Sequence, residues 1–371
     1  MYTFHLLSLP HALVNKDYCS CAFTQKILNM YKMMKGAWYN VILYGTEWWE
    51  VDVETFSKED FNRIYPKDHK GSLYDSTNPE WRKIYCDNTI RAIEERKTWR
   101  DILLLSYWYA HKPIKDATKL PWIEMGIGYP SSMNDCHRVF ESYAWMNNHY
   151  WQEKVVHPNN YDTVIPNYFD ISDFEFNENP KDYFLFVGRP STDKGRWIAV
   201  DVAIRSWIKL KLAWQAGDVV NNHLNDLKSK WFDVSNIEHV WWINVEQRKE
   251  LMKNAKALFV PTQYIEPFAG VQIEALLCGT PLITSDFGVF NETNKHWITG
   301  YRCRHFNDYM QAVQNINEIN RQDCRNRWEL YSLDNIWNYY DYYFKKVIDL
   351  LEWWGFYSEH VTGLKYNVLD F

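Results

Sequence analysis

The sequence predicts an α/β protein built from two doubly wound parallel sheets. Three observations carry that prediction. The chain has 371 residues, too many for one compact core and suited to two ordinary domains. Short apolar strands alternate with helical stretches in both halves, the pattern of parallel sheets covered on both faces. Between the two series, VIPNYFDISDFEFNENPKD (164–182) loosens into Pro, Asn and Asp, as a linker does. The expected domains are residues 1–170 and 171–334.

The elements follow in order. TFHLLSL (3–9) reads as the first strand, Ser20 to Met34 as a helix and VILYG (41–45) as the next strand. Thr89 to Arg100 reads as a charged helix, with DILLLSY (101–107) and WIEMGIG (122–128) as buried strands. The second series opens with YFLFVGR (183–189), a strand ending in a glycine turn. Gly195 to Leu212 reads as one helix, HVWWI (239–243) as a strand and Glu246 to Asn254 as a helix. ALFVPT (257–262), a helix from Gly270 to Leu277, PLITS (281–285) and a long aromatic helix from Asp334 to Trp354 complete the pattern. In such sheets ligands collect at the carboxyl ends of the strands.

Composition narrows the function. Hydrophobic residues are 46% and charged residues 24% of the chain, which excludes a disordered or collagen-like protein. A formal charge of −6 disfavours a sequence-blind nucleic-acid binder. Charged residues interrupt every apolar run before bilayer length, and the N-terminus lacks the basic flank of a signal peptide. Seven cysteines without a CxxC pair suggest free thiols in a reducing compartment. The expectation is a soluble, cytoplasmic protein with no stable membrane insertion and no metal site. Twenty Trp and 26 Tyr suit sugar or base stacking, but core filling explains them more simply.

The chemistry is concentrated in two segments. In ALFVPTQYIEPFAGVQIEALL (257–277) a buried strand ends at Thr262, a polar loop carries Glu266, and a helix begins near Gly270. First-turn amides without intrahelical partners sit at the positive end of the dipole and suit a phosphate, which Gly270 lets approach closely. Glu274, one turn into the helix, is placed to accept two ribose hydroxyls. The alternative is an acidic first turn that complements the dipole. In FVGRPSTDKG (186–195), Gly188 is followed by Arg189, with Lys194 before a second glycine. A forked guanidinium and an ammonium at a strand end suit a diphosphate leaving group, although two surface cations beside a turn explain the same residues.

Together these segments resemble the retaining glycosyltransferases of the GT-B fold, family 4. Glu266 and Glu274 match that family's glutamates eight positions apart, in EPFAGVQIE; FVGRPSTDKG matches its Gly-Arg and Lys-Gly phosphate motif. LLCGTPLITSDFGVFNE (276–292) looks like its helix, turn and strand closing on a Gly-rich loop with Glu292, and VIPNYFD (164–170) like its inter-lobe crossing. The resemblance implies two Rossmann-like domains facing across a cleft, with a C-terminal segment, 335–371, crossing back to complete the acceptor-side lobe. It implies a UDP-, GDP- or ADP-sugar donor on the second lobe. Glu274 would hold ribose, Arg189 and Lys194 the diphosphate, and amides near Gly270 and Val271 the distal phosphate. Glu266 would contact donor-sugar hydroxyls, with Phe268 and Gly188 beside the donor. Retaining members are thought to let the leaving phosphate accept the acceptor's proton, so neither a protein base nor a metal is expected. The absence of any Asp-any-Asp triplet agrees.

Three departures stand out. PHALVNKDYCS (10–20) lacks the glycines usual in the first loop, which makes Asn15 and Lys16 donor candidates. HVWWINVEQ has Ile243 and Asn244 where glycine is common, a change expected to reshape the base pocket. His111 lies late after DILLLSY; it either touches the donor sugar or is a satisfied loop histidine. The aromatic C-terminal helix reads as packing on the first lobe, since its polar face has no basic excess. WRKIYCDNTIRAIEERKTWR (81–100) reads as a solvated face, or as a track for an anionic acceptor such as DNA. NKDYCSCAFTQK (15–26) and FESYAWM (140–146) look most like phage- and virus-encoded members, some of which act on modified DNA bases. The leading expectation is sugar transfer to a glycan or other hydroxyl. Alternatives are transfer to a hydroxymethylated DNA base, a non-catalytic binding module, or a nucleotide-sugar epimerase.

Overall fold

A computed structural model describes the chain except residues 1, 11–13, 15–21, 47–50, 58, 61, 62, 64–78, 107, 131, 134–136, 190, 215, 216, 242, 243 and 354–371. The backbone divides into two compact units. One comprises the chain up to Glu141, Met146–Tyr168 and the chain from Leu333; the other comprises Ser142–Trp145 and Phe169–Ser332. Each is a parallel α/β layer structure, as the alternation predicts.

The first unit contains β1 (Thr3–Leu7), β2 (Asn40–Thr46), β3 (Val53–Phe56), β4 (Asp101–Leu105), β5 (Trp122–Ile127), β6 (His137–Phe140) and β7 (Thr163–Val164). All pairs are parallel, in the order β3-β2-β1-β4-β5-β6-β7. Its helices include α1 (Ala22–Gly36), α2 (Pro79–Glu94), α3 (Trp108–Thr118) and α4 (Tyr143–Gln152), whose first residues group with the second unit. β4, DILLL, is buried throughout because helices cover both sheet faces.

The second unit has β8 (Phe184–Val187), β9 (Leu210–Trp214), β10 (Ile237–Trp241), β11 (Leu258–Val260), β12 (Leu282–Ser285) and β13 (Gly300–Cys303). They are ordered β10-β9-β8-β11-β12-β13, again all parallel. Its helices are α5 (Arg196–Ser206), α6 (Gly217–Ser229), α7 (Val245–Asn254), α8 (Gly270–Leu277), α9 (Phe290–Thr293), α10 (Phe306–Asn315) and α11 (Arg321–Trp328). The long α12 (Leu333–Trp353) belongs to the first unit, where Ile336, Tyr340, Phe344 and Val347 join the core around Phe4. Among the described residues no helix is long and apolar enough to cross a membrane.

Some expected elements are corrected. Gly195 to Leu212 is not one helix: α5 ends at Ser206, Trp207 adopts φ 54°, and β9 starts at Leu210. The alternation in IKLKLAW is a strand signal that helix-forming lysines conceal. The charged helix runs Pro79–Glu94, ten residues earlier than expected at its start, and residues 95–100 lie beyond its end in two short turns and the link between them. β3, β6, β7 and β13 are too short to stand out in the sequence.

Among the described residues, four of the seven non-glycine residues with positive φ are tryptophans: Trp38, Trp207, Trp231 and Trp297, at 54° to 67°. All are 70% or more exposed. Trp38 and Trp231 follow helices closed by bonds such as Tyr39 N–H to Met34 O (2.9 Å) and Phe232 N–H to Leu227 O (3.1 Å). Glycine normally occupies such left-handed helix ends.

Candidate active site

In the second unit the chain proceeds from β8 to one side through β9 and β10, then to the other through β11, so the topology switches between β8 and β11. Crevices at carboxyl ends of strands form at such points. The turn after β8 and the loop after β11 meet there. Gly195, at φ 70°, lies so close to the Pro261 carbonyl that a Cβ would overlap it. Only glycine permits this approach. The Gln263 N–H donates to Asp193 O at 2.6 Å, tying the loops together.

This junction brings Lys194 and Glu266 together. Lys194 Nζ donates to both carboxylate oxygens of Glu266, at 2.9 and 2.7 Å, and to the Tyr264 hydroxyl at 2.8 Å. Its ammonium also lies over the Tyr264 ring, 5.0 Å from the centroid. Glu266 is buried and Lys194 half-buried. Burial, then the Glu266 carboxylate, raises the Tyr264 pKa, so the phenol keeps its proton. Tyr264, which the sequence reading did not single out, lies two residues before Glu266 on the same loop. Arg189 is exposed and Gly188 half-buried at the end of β8.

The loop continues into α8. Ala269 caps it in a left-handed conformation, φ 59°, and no side chain caps the first-turn amides. A non-glycine residue there stores about 1 kcal/mol of strain. Buried Gln272 holds the turn: its side-chain amide donates to Phe268 O (2.7 Å), and its carbonyl oxygen accepts from Thr293 Oγ1 (2.9 Å). Gly270 and Val271 begin the helix, half-buried. Glu274 accepts from Arg248 of α7 at 3.2 Å, a partner that sequence reasoning missed. α7 is itself fixed by a capping box between Asn244 and Gln247.

Two expectations are corrected. The Phe268 ring is 2% exposed and packs against Phe169 and Tyr331, so only its backbone can face a ligand. His111 is not on a loop but in the first turn of α3, fully buried, with Nε2 bonded to Ser8 O at 2.9 Å. The Asn244 side chain is engaged in its cap. Asn15 and Lys16 lie outside the described residues. Glu292 accepts from the Tyr143 and Ala144 amides, at 3.0 and 2.7 Å; burial nevertheless raises its pKa. In the 81–100 segment Lys83, Arg96 and Lys97 pair with Asp87, Glu95 and Glu94, while Arg82, Arg91 and Arg100 are in excess of the segment's own acids.

Two Rossmann-like parallel sheets define the GT-B class of fold. Residues 169–332 match the family described as Glycosyl transferases group 1, which gives the second unit a glycosyltransferase group 1 domain. An uncharacterized glycosyltransferase of Methanocaldococcus jannaschii is 30% identical over 122 residues, 31% of this chain and 30% of that protein. The chain thus aligns with under a third of that relative's length. Sucrose-phosphate synthase from Thermosynechococcus elongatus shares the fold with a TM-score of 0.71, 15% identity, and coverage of 94% of this chain and 99% of that one. Anabaena HepE, solved in complex with UDP-glucose, gives a TM-score of 0.68 at 12% identity, covering 93% and 99%.

Proposed function

We propose that the chain is a retaining glycosyltransferase that moves a sugar from a nucleoside-diphosphate sugar to a hydroxyl acceptor without a metal ion. The observation that carries this reading is the Lys194–Glu266–Tyr264 cluster at the β8/β11 switch point, beside the uncapped start of α8. The group 1 match over the same unit and the UDP-glucose complex of HepE support a nucleotide-sugar donor.

In this reading Arg189 and Lys194 hold the diphosphate, and the Gly270 and Val271 amides hold its distal phosphate. Glu274 accepts the ribose hydroxyls, and Glu266 the hydroxyls of the donor sugar. The Lys194–Glu266 pair then has a chemical use. The carboxylate fixes the ammonium near the place where charge grows as the glycosidic bond breaks, and phosphate shares that ammonium as it departs. The departing phosphate takes the acceptor's proton on the same face, so no side chain serves as base.

The test measures nucleoside diphosphate release across UDP-, GDP- and ADP-sugars with glycan, lipid-linked and hydroxymethylated-DNA acceptors, with and without a chelator. Turnover survives the chelator, and Glu274→Ala and Arg189→Ala each abolish it. Wild-type rates in both variants refute the site. Saturable donor binding without transfer or hydrolysis would make the chain a binding module, and an isomerised donor would make it an epimerase.

A further inference from the structure

Three arginines are buried among the described residues, and two of them are satisfied. Arg138 pairs with Asp162, and Arg321 donates to three backbone carbonyls and Thr280. Arg196 differs. It is 8% exposed, and its Nε and Nη1 atoms are buried without a hydrogen-bond partner. Burial lowers its pKa, and no carboxylate offsets that loss. The titratable group in its field is His223 of α6, whose own pKa is lowered by burial and then by Arg196, so it supplies no counter-charge. A buried cation left in this state is costly unless something outside the chain neutralises it.

Its position indicates what that is. Arg196 is the first residue of α5, directly after the Gly195 turn that carries Lys194. Gly195 gives α5 no side-chain cap; the Ile198 N–H bonds the Gly195 carbonyl at 2.9 Å, and the Arg196 and Trp197 amides remain at the positive end of the helix. A side chain at the first helical position leans toward that same end. The Lys194 charge is already matched by Glu266, whereas the Arg196 charge is not. One turn therefore holds a matched cation, an exposed one in Arg189, and a buried one without an acid.

We infer that Arg196 is a further ligand for the pyrophosphate group of the donor, acting with the uncapped amides of α5. This rests on the donor reading above and adds to it a residue outside the Gly-Arg and Lys-Gly motif. It is a binding residue: its unpartnered Nε and Nη1 donate to anionic oxygens, and its charge is neutralised on binding.

The test is thermal denaturation of the whole chain titrated with inorganic pyrophosphate and, separately, with UDP. Arg196→Met is expected to raise the melting temperature of the unliganded protein, because it removes a buried unmatched charge. The same substitution should weaken pyrophosphate by about tenfold or more, the scale of a charge-assisted hydrogen bond. Arg196→Lys, which keeps the charge, should recover part of that affinity and also serves if the methionine variant does not fold. Unchanged pyrophosphate affinity in both variants overturns the inference, as does a wild-type protein that does not bind pyrophosphate. The donor reading fails separately. Pyrophosphate binding that depends on Arg196, without any binding of UDP, GDP or ADP, upholds the anion site and removes the nucleotide.

Discussion

The two sheets share one strand order through their first six strands and differ in what occupies the point where that order reverses. In the first unit, backbone carbonyls at the end of β1 are consumed internally. Leu7 O accepts from Ser106 Oγ (2.9 Å), and Ser8 O from the Tyr85 hydroxyl (2.8 Å) and His111 (2.9 Å), all buried side chains. In the second unit the equivalent place holds half-buried Lys194 and Tyr264 and buried Glu266, with Arg189 exposed beside them. The topology makes the crevice twice. The residue types decide whether it is closed by internal hydrogen bonds or kept for a ligand.

The largest effect should come from the charged side of this comparison. Lys194→Ala removes the diphosphate's ammonium and leaves the Glu266 carboxylate buried beside Tyr264. Donor turnover should fall by about a hundredfold or more, with the greater part in kcat. A variant with wild-type kcat would break the contrast between the two crevices.

The next test addresses the other side. His111→Ala deletes a buried polar contact to Ser8 O and should cost about 2 kcal/mol in urea denaturation, with kcat of the remaining folded protein unchanged. A lower kcat at unchanged stability would instead place His111 against the donor.

A third, smaller effect appears with pH. His5 bonds to the Tyr44 hydroxyl (2.8 Å) and Asp101 (3.0 Å) within the first unit. Burial lowers the His5 pKa more than Asp101 raises it. The unfolded chain therefore takes up a proton near pH ~6.5 that the folded chain resists, and stability falls as pH drops below that value. Burial alone would raise the Asp101 carboxyl, but hydrogen bonds from His5 and Thr98 outweigh it and hold the pKa down. Asp101 stability is thus present above the unfolded carboxyl value near pH ~4 and lost below it. Melting temperatures from neutral to acid pH should decline in two stages, and His5→Gln should shrink the upper one. His137, His149, His223 and His296, also lowered by burial, contribute the rest of that stage. A profile unchanged in the His5→Gln variant would show that His5 is not among the groups responsible.

Much of this was legible in the sequence, for identifiable reasons. The buried strands of both sheets are apolar runs such as DILLL, and α8 matches its expected bounds because a glycine and a polar loop mark its start. Lys194, Glu266 and Glu274 stood out because motif spacing registers charge in a fixed frame. Partners did not. Arg248 is 26 residues from Glu274 along the chain, and only the packing of α7 brings them together. Phe268 looked available because spacing shows adjacency and not the direction of a ring. β9 was hidden because nothing in the sequence marks Trp207 as the residue that ends a helix.

That residue gives the smallest prediction. Trp207→Gly and Trp231→Gly should each stabilise the second unit by about 1 kcal/mol, since an exposed ring gives up little packing and glycine accepts the left-handed backbone freely. Trp38→Gly should do the same for the first unit, so thermal unfolding can be shifted in either unit without touching its crevice. A loss of stability would mean that the rings pack in solution.

The left-handed tryptophans also bear on the gene. A UGG codon is one base from GGG, so at Trp38, Trp207, Trp231 and Trp297 a single nucleotide separates the encoded residue from the one the local geometry favours. UGA lies equally close and is translated as tryptophan under one genetic code and as glycine under another. Wherever these positions are written UGA, the translation table of the host cell decides which side chain the ribosome installs, and the intact mass of the native polypeptide reads that decision directly.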